Sequence, residues 1–212
     1  IKDGKDQGIG AFIVEAGTKG LSFGNPEKKM GWKASDTRSV FFENMRIPAQ
    51  NILGSPSQGF KQFLRTLTGG RITIGALSLG TAQGGYDAAL KYSKEREAFG
   101  KKISDFQAVS FSLSDMATQI QAAKHLVYHA AWLKDNGYDV IKEAAMAKLF
   151  SSEIAMNVTT QAIQVHGGYG YIKEYNVERF FRDAKILEIG EGTSEIQRII
   201  ISREVLSSVS NT

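Results

Sequence analysis

From about Gln58 onward, apolar residues recur at helical spacing. Phe60, Phe63, Leu64 and Leu67 share one face, and Ile72, Leu77, Leu79, Ala82, Tyr86, Leu90 and Tyr92 carry the pattern to Arg96. This predicts one long helix, although Gly69-Gly70 inside it costs roughly 1 kcal/mol per glycine relative to alanine. Glycines so placed admit close approach of another helix or a ligand. A second helix is expected after Ser104-Asp105-Phe106-Gln107, which matches a capping box with Ser104 as the cap. Phe111, Leu113, Met116, Ile120, Ala123, Leu126 and Val127 form its apolar face, and Asn136-Gly137 is a stop. A third, alanine-rich helix runs from Asp139 or Val140 to Val165 and ends at Gly167-Gly168. A short helix covers Asn176 to Asp183. The last runs from Ser194 to about Leu206, with Ser194-Glu195-Ile196-Gln197 as a second capping box.

Before residue 57 the pattern is that of strands: Gly10 to Glu15, Leu21 to Gly24, and Arg38 to Asn44, with Asn25-Pro26 and Gly54-Ser55-Pro56 as turns. Three strands are too few for an autonomous sheet. The expected fold is mostly α, an up-down four-helix bundle over residues 57–212 preceded by part of a small β domain over residues 1–56.

Composition removes several classes of function. None of the 212 residues is Cys, which excludes disulfides, thiolate zinc sites and cysteine nucleophiles. No segment approaches the roughly 20 apolar residues of a membrane span, and Ile1 to Asp6 show no targeting core. The cytoplasm is the default expectation. The chain begins without Met and is expected to be part of a longer protein. The net charge of +4 is spread along the chain, densest at Lys28-Lys29 and Lys101-Lys102. That argues against nucleic-acid binding but suits a ligand carrying phosphates. His166 lacks metal-ligand spacing and reads as a packed polar residue.

Four segments carry chemistry. Residues 94 to 107 read Lys-Glu-Arg-Glu-Ala-Phe-Gly-Lys-Lys-Ile-Ser-Asp-Phe-Gln; Gln161 to Tyr171 contain Gln164-Val165-His166-Gly167-Gly168-Tyr169-Gly170-Tyr171; Arg179 to Ile186 read Arg-Phe-Phe-Arg-Asp-Ala-Lys-Ile; and Glu188 to Arg198 read Glu-Ile-Gly-Glu-Gly-Thr-Ser-Glu-Ile-Gln-Arg. In this order and spacing they resemble the signatures of the acyl-CoA dehydrogenases, most closely the short-chain, butyryl-type members. The resemblance covers essentially the whole chain. It implies the middle-to-C-terminal part of such an enzyme, without the first helical domain and the front of the central β domain.

The family desaturates a thioester between its α and β carbons, with FAD taking the hydride and one carboxylate taking the α-proton. The resemblance assigns that base to Glu191. On the residues alone, an acid between two glycines before a helix also reads as a simple helix-dipole partner. Gly192 then lies against substrate, together with Thr68, Gly69, Gly70 and Arg71. The family often has Asp where Thr68 stands, and for Arg71 a structural ion pair is the rival role. Some relatives carry the base immediately before the residue matching Arg71, where this chain has Gly70. Arg96 and Gln107 resemble contacts to the FAD of a neighbouring subunit, for which a guanidinium fork suits a pyrophosphate. Gln164, Val165, His166, Gly167 and Gly168 resemble a further FAD-contacting stretch, as do Thr193, Ser194 and Glu195 at a helix N-terminus. The implied partners are an acyl-CoA, an electron-transferring flavoprotein and further copies of the chain, as a homodimer or homotetramer. A related flavoprotein of the same fold, such as an acyl-CoA oxidase or a nitroalkane oxidase, or a helical assembly module without catalysis of its own, is the alternative.

Overall fold

The computed structural model describes residues 8–209, so the reading of Ile1 to Asp6 lies outside the described residues. The chain divides into two compact units, one ending at Leu67 and one beginning at Thr68.

In the first unit, β1 (Leu21–Phe23) pairs antiparallel with β2 (Val40–Phe42), Ser22 opposite Phe41. The strand expected at Gly10 to Glu15 is not a strand but an isolated bridge, Phe12 to Ile52, flanked by Ile13 N–H donating to the Asn51 carbonyl and Leu53 N–H to that of Ala11. A strand lasts only as long as a partner runs beside it. Here the partner turns away at Gly54, whose φ is +71°.

Helix α1 (Gly59–Glu95) starts in the first unit and runs unbroken through Gly69-Gly70 into the second. There follow a two-residue hairpin of β3 (Glu97–Ala98) and β4 (Lys101–Lys102), then α2 (Gln107–Asp135), α3 (Ile141–His166), α4 (Val177–Ile189) and α5 (Ser194–Val209). The four expected helices of the bundle are α1, α2, α3 and α5; α4 is the short helix, longer than its sequence pattern indicated. The centre is α3, with α2, α4 and α5 packed around it. Its small residues permit this: Ala144, Ala147, Ala155, Val158 and Ala162 are fully buried. A Cβ built on Gly75 of α1 would lie 3.4 Å from the Ala147 backbone, so α1 and α3 approach at glycine distance. Ala82 and Ala89 of α1, Leu113, Met116 and Ile120 of α2, and Ile154 and Val158 of α3 form the main core.

Neither expected capping box forms. Ser104 lies in a short 3-10 turn, and α2 begins after Phe106 with no side-chain cap. At α5 the cap is one residue earlier: Thr193 Oγ1 accepts the Ile196 N–H at 3.4 Å. Ser194 Oγ is buried without a partner, and the Gln197 amide points back to the preceding turn instead of to Ser194. No helix among the described residues is long and apolar enough to cross a membrane.

Candidate active site

Helix α4 ends at Ile189, where Gly190 N–H donates to the Ile186 carbonyl at 2.7 Å. The chain then turns sharply into α5. Glu191 adopts φ +53° and Gly192 φ +94°. Gly192 accepts the left-handed region freely, but for a glutamate it costs on the order of 1–3 kcal/mol unless the surroundings hold it. This conformation swings the Glu191 carboxylate onto α1. A Cβ built on Gly70 would lie 1.8 Å from Glu191 Oε2 and 2.7 Å from its Cδ. Gly70 is therefore a notch that the carboxylate fills from one side, while the rest of the side chain is exposed.

Arg71 follows in sequence and is 6% exposed, with its Nε buried and unpartnered. Burial lowers its guanidinium pKa, and the charge of Glu191 works in the opposite direction. A buried guanidinium N–H without an acceptor is costly on its own. It stays available to whatever occupies the space beside Glu191. Glu191, Gly192, Gly70 and Arg71 thus come together in one place. Thr68 and Gly69 are half-buried one helical turn or less away, and the Gly69 backbone lies against the Lys134 ammonium.

Two residues of this site escaped the sequence reading. Lys148 on α3 is fully buried and donates from Nζ to the Gly192 carbonyl at 2.8 Å. Gln197 on α5, also fully buried, donates from Nε2 to the same carbonyl at 2.8 Å and to that of Glu191 at 3.3 Å. The signal for Lys148 was present: Ala144, Lys148, Ser151, Ala155 and Thr159 lie on one helical stripe, with a lone cation among small residues.

A second group lines a cavity of about 540 Å³ at the far end of α3: Tyr92, Arg96, Gln164, His166, Gly167 and Gly168, with Val165, Ile103, Tyr169 and Ile172. Gly167 has φ +59° and ψ −136°, a conformation that essentially only glycine adopts. Cβ atoms on Gly167 or Gly168 would meet nothing within 4 Å, so their backbone is open to a ligand. His166 stacks on Tyr92 with centroids 4.2 Å apart, and its Nδ1 bonds the Ala162 carbonyl at 2.8 Å. Burial holds its pKa below the ordinary value, only partly offset by that hydrogen bond. The Arg96 guanidinium sits 5.6 Å from the Tyr169 ring centroid. A permanent cation, open glycine backbone and flat aromatic surfaces in one cavity fit part of a dinucleotide: phosphate to Arg96, a planar face to the rings.

The remaining expected residues are elsewhere. Gln107 is exposed at the start of α2 and is not part of this cavity's wall. Thr193, Ser194 and Glu195 form the first turn of α5; Glu195 is held below its ordinary pKa by its own backbone N–H and by the Thr193 hydroxyl. Phe99, at the tip of the β3–β4 hairpin, has φ +53° and is 96% exposed. No cluster of three metal-ligating side chains occurs among the described residues.

Residues 57–206 match the family model described as acyl-CoA dehydrogenase, C-terminal domain. A Bacillus subtilis protein named probable acyl-CoA dehydrogenase YngJ is 56% identical over 205 residues, covering 97% of this chain and 54% of that one. The caffeyl-CoA reductase–Etf complex subunit CarC of Acetobacterium woodii is 48% identical over 200 residues, 94% of this chain and 53% of that one. Among solved structures, butyryl-CoA dehydrogenase from Megasphaera elsdenii superposes with a TM-score of 0.92 at 47% identity, covering 94% of this chain and 52% of that one. The chain spans about half the length of the relatives it matches.

Proposed function

The chain belongs to the acyl-CoA dehydrogenases, and from that premise we propose that the whole protein removes hydrogen from the α and β carbons of an acyl-CoA thioester, with Glu191 as the base. The observation that carries this reading is the Glu191 carboxylate lodged in the Gly70 notch beside the buried Arg71, whose Nε has no hydrogen-bond partner. A thioester seated with its α-carbon at the open side of the carboxylate gives up its proton to Oε1 or Oε2. Geometry of this kind makes a single carboxylate sufficient. Arg71 and the Gly192 backbone bound the same space and would orient the thioester.

FAD, when bound, supplies the hydride acceptor. Arg96, Gln164 to Gly168 and the first turn of α5 at Thr193, Ser194 and Glu195 are the residues of this chain that would hold it, Arg96 through phosphate. Gln107 is assigned there by resemblance alone. An electron-transferring flavoprotein is the partner class, because CarC is named as a subunit of an Etf complex. Exposed Phe111, Tyr128 and Trp132 on α2 and Leu206 on α5 suit self-association into a dimer or tetramer. A short, butyryl-type acyl chain is the first substrate to test, given the Megasphaera elsdenii likeness.

A second reading runs the same chemistry backwards, since CarC is named a reductase. Protonated Glu191 would then return a proton to the α-carbon of an enoyl-CoA.

The test is Glu191→Gln in the full-length enzyme, mixed anaerobically with butyryl-CoA while flavin absorbance is followed. Loss of a general base predicts bleaching slower by roughly 10²–10⁴-fold with acyl-CoA binding retained. Bleaching within a few fold of wild type would overturn the assignment.

A further inference from the structure

The turn that carries Glu191 has no side-chain support of its own. It is flanked by glycines, and its central residue is in a conformation that a non-glycine residue avoids. Yet its two carbonyls are gripped from opposite sides. Lys148 reaches from α3 and Gln197 from α5, and both meet the Gly192 carbonyl oxygen at 2.8 Å. Gln197 also touches the Glu191 carbonyl at 3.3 Å.

Neither residue is well explained by stability. Lys148 is fully buried, and among the described residues its Nζ forms no ion pair with a carboxylate. Burial depresses its pKa, with Glu188, Glu153 and Glu195 opposing and Arg71 reinforcing. Neutral or charged, Nζ keeps a hydrogen to donate. Gln197 spends its amide N–H on the turn while its Oε1 is buried without a partner. Buried polar groups so incompletely satisfied are a net cost to folding. Ser151, one turn along α3 from Lys148, also leaves its hydroxyl unpartnered.

We propose that Lys148 and Gln197 are positioning residues that clamp the Gly192 carbonyl, hold Glu191 in its left-handed conformation, and so keep its carboxylate in the Gly70 notch. This rests on Glu191 being the base. The clamp acts through the backbone: relieving φ at Glu191 swings the chain that follows it, and with it the Gly192 carbonyl, away from Lys148 and Gln197, so the turn cannot relax without giving up both hydrogen bonds to that oxygen. With the clamp intact the carboxylate is preset before the thioester arrives. Without it, the turn relaxes and the carboxylate leaves the notch for solvent.

The experiment uses Lys148→Met, Gln197→Met and the double variant in full-length, flavin-loaded enzyme, with Glu191→Gln as control. Methionine keeps length and removes the donor. Lys148→Met removes the cost of burying an amine without a counter-ion and leaves the Gly192 carbonyl its Gln197 donor, so the melting temperature of Lys148→Met stays level or rises. Each single variant slows anaerobic bleaching by butyryl-CoA by about tenfold or more per bound flavin, as sub-ångström misplacement of a reacting group does. Binding of a non-reacting acyl-CoA thioether changes by no more than about threefold, because the base does not provide that affinity. Hydrogen exchange rises at residues 190–197 and not across the bundle. The double variant loses more than the product of the single losses, since one remaining donor still restrains the shared oxygen in part. Unchanged bleaching per flavin and unchanged local exchange, with Glu191→Gln inactive, would overturn the clamp and leave the base assignment standing. A fall in melting temperature with bleaching per flavin unchanged would overturn it too, reducing both residues to packing. An active Glu191→Gln would instead sink the base assignment and the clamp's purpose with it.

Discussion

Gly70 and Glu191 occupy one volume: the position of a Cβ on Gly70 lies 1.8 Å from Oε2 of Glu191. The two residues are 121 positions apart in sequence and on different elements. Relatives that resemble this chain but carry a carboxylate before the matching arginine would thus be delivering it to the same spot from α1.

Gly70→Ala follows directly from that relationship. The new methyl group and the Glu191 carboxylate cannot coexist, and the carboxylate, being the far end of a flexible side chain, moves. Bleaching by butyryl-CoA should slow by about 10–100-fold, the size of effect that a displacement near 1 Å produces. The melting temperature should hold or rise, because alanine favours the helix over glycine by about 1 kcal/mol. Thermal melts and single-turnover kinetics on one preparation check both signs.

Arg96→Lys should weaken flavin retention without loosening the bundle. Lysine keeps the charge but loses the planar fork that suits a pyrophosphate. A loss of about 1–3 kcal/mol, typical of one charge-assisted hydrogen bond, is expected in a flavin titration of the stripped enzyme. Equal affinity would make Arg96 a surface cation resting on Tyr169.

Gly167→Ala should do the reverse and hurt the fold first. At φ +59° and ψ −136° an alanine is strained by about 1–3 kcal/mol. For a chain of this size that is a fall of roughly 2–10 °C in melting temperature. Differential scanning calorimetry of the two proteins measures it.

His166 supplies a pH dependence. Its folded pKa is depressed below the ordinary 6.5 by burial against Tyr92 and Tyr175, with Arg96 the nearby cation lining the same cavity. Below that value the unfolded chain takes up a proton that the folded chain refuses, so stability falls as pH drops through 6.5. The loss levels off only once pH lies under the folded pKa. His166→Gln removes this contribution, so the variant's melting temperature should approach or overtake that of wild type between pH about 7 and about 5. Parallel curves across that range would show the imidazole titrates normally.

Much of this was legible in the chain. Helical periodicity located α1 and α3, and the Asn136-Gly137 stop fell where α2 ends, with Gly137 at φ +80°. Glycines marked the close approaches, and the tripeptide around Glu191 announced a tight turn. What failed were inferences about side-chain partners. Ser194 and Gln197 have the spacing of a capping box, but two nearby carbonyls compete for the Gln197 amide and win, while Thr193 takes over the cap. A local pattern cannot register a partner on another helix. The same limit hid Lys148, whose acceptor lies 44 residues away. The strand at Gly10 to Glu15 failed similarly, since its pattern said nothing of how briefly a partner would run beside it.

The positive φ of Glu191 also sets a warning for anyone redesigning this protein. A glycine or asparagine would sit at φ +53° with less strain, so a search guided by heat resistance alone would be drawn to replace that glutamate. Likewise it would put methionine at Lys148 and alanine at Gly70. Each of these changes would move the molecule towards a sturdier bundle in which the proposed base is either gone or out of its notch. Around this turn, thermal robustness and turnover pull on the same few codons in opposite directions.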